Sequence, residues 1–130
     1  MAGTTTCSIH EGHNIHRYDV TYVADAAAAT IPSLTIDISD GLLLHWEHNP
    51  GTTVATSLFD VTLTQRTGVD ALCGGGANIV TTAGANAYGG PLPGGVSITP
   101  VPVKNELIFA ASGNAVNSAT GVFSFYIMAF

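Results

Sequence analysis

The chain has 130 residues, of which 46% are apolar and 9% are Asp, Glu, Lys or Arg, against about 25% charged residues in an ordinary soluble domain. Its formal net charge is −6, with Arg17, Arg66 and Lys104 as the permanent cations. That excludes a nucleic-acid partner, which needs several phosphates neutralised, and argues against an anionic membrane surface.

The length fits one domain, able to bury a core without help from a metal or a disulfide. Its polar material is mostly uncharged Thr, Ser, Asn and Gly. This suits a subunit whose surface neighbours cover, because interface cores are depleted in charge. A secreted Thr/Gly-rich β-protein would share that composition.

Residues 1–16, "MAGTTTCSIHEGHNIH", hold few bulky anchors and read as an extended N-terminal arm, mobile until it docks. They lack the basic and apolar parts of a signal peptide, so folding in a cytoplasm is expected. Cys7 and Cys73 are then reduced and buried or inert, with a Cys7–Cys73 disulfide the alternative in an oxidising setting.

"HRYDVTYVA" (residues 16–24) alternates His16, Tyr18, Val20 and Tyr22 against Arg17, Asp19, Thr21 and Val23, which predicts a strand. "YVADAAAAT" makes a loop or one helical turn. "SLTIDIS" sets Leu34, Ile36 and Ile38 inward before the turn pair Asp40-Gly41. "LLLHWEH" (42–48) predicts a strand with Trp46 on the face of Leu42 and Leu44, stopped at Pro50. "LFDVTLT" points Phe59, Val61 and Leu63 inward, and "TGVD" makes a turn.

The segment 74–95 is rich in Gly and Ala and predicts a long loop that orders on a partner. "PLPGGVSITPVPV" supplies Pro91 and Pro93 in an extended spacer. Strands follow over 95–101, 106–112 and 121–130. The last is apolar on both faces, as in a central strand covered on each side. With some seven strands and no convincing helix, the predicted fold is all-β: a single antiparallel β-sandwich, jelly-roll-like, over 1–130.

His10, His13 and His16 are zinc-type ligands at a spacing that converges only on a helix, which Gly12 and Asn14 oppose. Neither "HEGH" nor "HWEH" is the metalloprotease motif. Neither a GxSxG elbow nor a phosphate loop occurs. Asp37, Asp40, Glu47 and Asp60 could meet across strands, but a glycosidase needs two carboxyls in one cleft. No metal, cofactor or catalytic residue is expected. Trp46, Tyr88 or Tyr126 could instead form an aromatic platform for sugar.

Asn49-Pro50-Gly51, Phe59-Asp60-Val61-Thr62-Leu63, Gly68-Val69-Asp70 and Gly75 to Asn78 follow in that order, with a closing strand over Asn114 to Met128. This series resembles small virion structural proteins of tailed bacteriophages. The likeness covers residues 40–79 and 114–128; Phe59 stands in place of the usual Tyr, and the long Gly/Ala loop is a departure. It implies a non-enzymatic part of the particle, most plausibly a head decoration or cement protein. Such a protein trimerises on the major capsid protein, in a virion assembled in the host cytoplasm. A tail, neck or fibre-base subunit is the alternative, and a carbohydrate-binding module a more distant one. The expected contacts are Trp46, His10, His13, His16, Tyr88, Pro91 and Pro93.

Overall fold

The computed structural model describes residues 1–77, 79, 81, 87–89 (backbone only at 88 and 89) and 100–130. Its elements are β1 (Thr4–Glu11), β2 (Ile15–Val23), β3 (Leu34–Asp37), β4 (Gly41–Pro50), β5 (Asp60–Gln65), β6 (Ala87–Gly89), β7 (Val101–Val103), β8 (Glu106–Ser112) and β9 (Thr120–Ala129). They form two antiparallel sheets, one of them curled into a half-barrel. The larger runs β1-β2-β9-β4-β6, with β7 also on β4, and the smaller runs β3-β8-β5.

One apolar cluster fills the space between the sheets. Tyr18, Val20 and Tyr22 come from β2, Phe123, Phe125 and Ile127 from β9, and Val61, Leu63, Leu107 and Phe109 from the smaller sheet. Phe109 meets Phe123 across the gap at 5.8 Å between ring centroids. The alternation of β2, β5 and β8 therefore places its apolar residues where period two requires.

Four features differ from the sequence-based expectations. Residues 4–11 are not a free arm: all eight pair with β2, from Thr4↔Val23 to Glu11↔His16, and make β1 the sheet edge. Thr side chains suit a pleated strand even where no apolar alternation marks it. In β4 the register slips between Leu43 and His45, so Leu44 is an extra residue. That bulge resets the alternation. Trp46 joins Leu43 and His48 in the core rather than Leu42 and Leu44.

The Gly-rich segment is anchored where it is described. Ile79 is buried and bridges Phe59, Thr81 Oγ1 donates to the Ala55 carbonyl at 2.6 Å, and Gly76 packs directly on the Val61 carbonyl. Pro91, Pro93 and most of the predicted strand 95–101 lie outside the described residues; β7 begins at Val101. Finally, β9 is central, but its outward face is not covered by a second layer among the described residues. Met128 remains 37% exposed there.

Local turns follow their side chains. Asp70 accepts backbone N–H bonds from Leu63, Leu72 and Gly74 at 3.0–3.1 Å, closing the turn after β5. Asp25 accepts from Ala27 and Ala28 at 2.7 and 2.8 Å, giving a capped turn in the Ala-rich stretch and holding its carboxyl below the usual range. Cys7 and Cys73 are both free, and Cys73 is exposed rather than buried.

Candidate functional site on the outer face of the larger sheet

The side chains that alternate away from the core meet in cross-strand rows. One row is His10, Arg17, Tyr126 and His45; the next is Ser8, Asp19, Ser124 and Glu47. Tyr88 continues the second row as the backbone partner of Glu47. Towards the end of the sheet lies an apolar row of Ile15, Met128, Leu42 and Pro102. In a chain with so few charges, this face gathers Arg17, Asp19 and Glu47 into one cluster.

Asp19 is its centre. Its carboxylate accepts Ser124 Oγ–H at 2.6 Å, Arg17 Nε–H at 3.2 Å and lies 3.1 Å from His10 Nε2. Beside it, Tyr126 O–H donates to Glu47 at 3.3 Å, and the Tyr126 ring stacks on His45 at 4.3 Å. Partial burial and the Glu47 carboxylate push the Tyr126 hydroxyl pKa upward. Arg17, Asp19, Glu47, Asn49, Val122, Ser124 and Tyr126 line a shallow depression of about 280 Å³.

The order of these groups decides their chemistry. A nucleophilic serine needs an imidazole lone pair beside its hydroxyl. Here Ser124 gives its hydrogen to Asp19, and His10 sits on the far side of that carboxylate. The arrangement is a polar clamp between β1, β2 and β9, not a proton relay.

The expected site residues disperse. His10 is on the outer face, His13 is exposed in the β1–β2 turn, and His16 sits on the opposite face with Nδ1 3.3 Å from Ser39 Oγ. Among the described residues no group of three His, Cys, Asp or Glu side chains could hold a metal. Trp46 is 5% exposed and stacks on Phe123 at 5.6 Å, so it serves the core and offers no contact surface. Asp37 and Asp60 stand on opposite edge strands of the smaller sheet, and Asp40 accepts the Asn105 N–H. Ser124, Asp19 and Arg17 escaped site prediction because Asp19 and Ser124 are 105 residues apart. The outward phase of Asp19 in β2 was their one visible signal.

Beyond the apolar row, Phe130 is 85% exposed and borders a second depression with Asp40, Gln65, Pro102 and Lys104. No family model, no curated protein and no solved structure matches this chain.

Proposed function

We propose that this chain is a non-enzymatic structural subunit of a bacteriophage particle, of the head decoration or cement kind. It binds the major capsid protein and copies of itself, as a homotrimer, and strengthens the shell by bridging coat subunits. The finer fold that accompanies this reading is a jelly-roll-like β-sandwich. The resemblance of the turn-and-strand motifs supports it, as does the low charge.

The observation that carries the proposal is the outer face of the larger sheet, uncovered among the described residues. Ile15, 45% exposed, lies beside Met128, 37% exposed, next to the cluster of Arg17, Asp19 and Glu47. An apolar strip flanked by oriented polar groups has the make-up of an interface core with its rim. Burying a large apolar side chain contributes about 1.5–3 kcal/mol.

A carbohydrate-binding reading keeps one support, the depression lined by Tyr126, Glu47, Asn49 and Arg17, and loses Trp46 to the core. The docking reading predicts no sugar selectivity on a glycan array.

Light scattering tests the proposal. The wild type should run as an assembly built on trimers, and Ile15→Glu/Met128→Glu should break the trimer while its melting temperature stays close to wild type. A clean monomer of the wild type at high micromolar concentration would contradict it. On particles, icosahedral placement supports the head, and a ring of sixfold or twelvefold symmetry would move the subunit to tail or neck.

A further inference from the structure

Among the described residues β1 is an open edge of the larger sheet, and its phase can be read from two hydrogen bonds. Gly12 N–H donates to the Ile15 carbonyl at 3.1 Å at the hairpin end. In an antiparallel ladder hydrogen-bonded and non-bonded pairs alternate. Thr6, Ser8 and His10 therefore turn their N–H and C=O groups towards β2, whereas Cys7, Ile9 and Glu11 turn theirs outward. Ala129 N–H donating to the Asn14 carbonyl at 2.8 Å on the other side of β2 gives the same phase.

Natural sheets blunt such an edge with Lys, Pro, a bulge or a covering segment. From Thr4 to Ile9 the strand has no charge and no proline, and its register with β2 is unbroken. Its first residues are occupied by the chain around Pro32, whose carbonyl accepts Thr5 Oγ1–H at 2.6 Å. From Thr6 onward, no described strand pairs with the free side. Ile9 is 49% exposed on the core side of this edge, and Cys7 there is half-buried.

We propose that two copies of this chain join their larger sheets edge to edge through β1, antiparallel about a two-fold axis at Ser8. In that register the outward groups of Cys7 bond those of Ile9 in the second copy, and the reverse, completing two reciprocal pairs. Each exposed Ile9 covers the Cys7 of the other copy on the core side. Glu11 falls opposite Thr5, so the two Glu11 carboxylates never face each other. Centring on Cys7 instead would put Ile9, rather than the terminal strand residue Glu11, against Thr5, where Pro32 already sits. The contact uses the sheet edge alone and is independent of the outer-face trimer.

Disulfide trapping tests the register. In a Cys7→Ser/Cys73→Ser background, Ser8→Cys places two thiols at a directly opposed non-hydrogen-bonded pair, close enough to bridge. Mild oxidation should give covalent dimers roughly tenfold or more faster than Ser57→Cys, an exposed control, because the two thiols are held together. Ile9→Pro removes an outward N–H, which an edge strand tolerates. It should halve the mass seen by light scattering with the circular dichroism unchanged.

Ser8→Cys cross-linking no faster than Ser57→Cys, or an unchanged mass for Ile9→Pro, would overturn the proposal. The outcomes also separate it from the trimer. If the edge contact holds without the trimer, the wild type is a dimer that Ile9→Pro makes monomeric. A wild-type trimer indifferent to Ile9→Pro would reject the edge and keep the outer face.

Discussion

Tyr22 Oη lies 2.7 Å from His48 Nε2 with both side chains fully buried, and Gly121 is what makes room for them. A Cβ at 121 would stand 2.5 Å from that hydroxyl and 3.0 Å from the imidazole. Among the described residues His48 Nδ1 has no partner. Burial lowers the His48 pKa from 6.5 to about 4 and pushes the Tyr22 hydroxyl well up.

Stability should therefore fall with acid before most carboxylates titrate. The unfolded imidazole takes up a proton near pH 6.5, the folded one only near 4. Stability is complete above the first value and declines as pH drops towards the second, by on the order of 3 kcal/mol. Urea unfolding at several pH values should show the decline in wild type. Tyr22→Phe/His48→Phe should lack its upper part; an equal slope there would assign the acid sensitivity elsewhere.

The chain has a single tryptophan. Because Trp46 packs on Phe123 in the core, its emission should be blue-shifted in the free subunit and unchanged by assembly. Trp46→Ala should cost about 3–5 kcal/mol. A red emission maximum that moves on assembly would return Trp46 to the surface.

What the sequence made legible is what period two controls. Tyr18, Val20 and Tyr22 in β2 and Phe59, Val61 and Leu63 around β5 fall on the core side as their alternation predicts, and Asp70 closes its turn. Trp46 was misplaced because nothing in "LLLHWEH" announces an extra residue at Leu44; the bulge is set by pairing with β9. β1 was missed because its Thr and Ser residues carry no apolar rhythm. The outer-face cluster exists only once β2, β4 and β9 are in register, which no local pattern encodes.

The Asp19 clamp should behave as one unit. Ser124→Ala should cost about 1 kcal/mol and Asp19→Ala about 2 kcal/mol, since Asp19 also holds Arg17 and His10. The double variant should cost less than the sum, because both single changes remove the same 2.6 Å bond. Strict additivity in urea unfolding would mean that the bond contributes nothing in solution.

Leu58 is exposed yet has φ 69°, a left-handed backbone that costs an ordinary side chain roughly 1–2 kcal/mol. Its N–H still donates to the Ile79 carbonyl at 2.7 Å. Leu58→Gly should raise stability by about 1 kcal/mol, read as a higher melting temperature. A lower one would show that the leucine side chain does more than tolerate its place.

Met128 offers the most direct test of the outer face as an interface. It sits in the apolar row beside Ile15, while Met1, the other methionine, is fully exposed and serves as an internal reference. Peroxide oxidation, followed by mass spectrometry, should be run on dilute subunits and on the concentrated assembly. Oxidation of Met128 should slow several-fold in the assembly while Met1 keeps its rate. Equal Met128 rates in the two states, with the assembly confirmed by light scattering, would place the interface elsewhere and contradict the account.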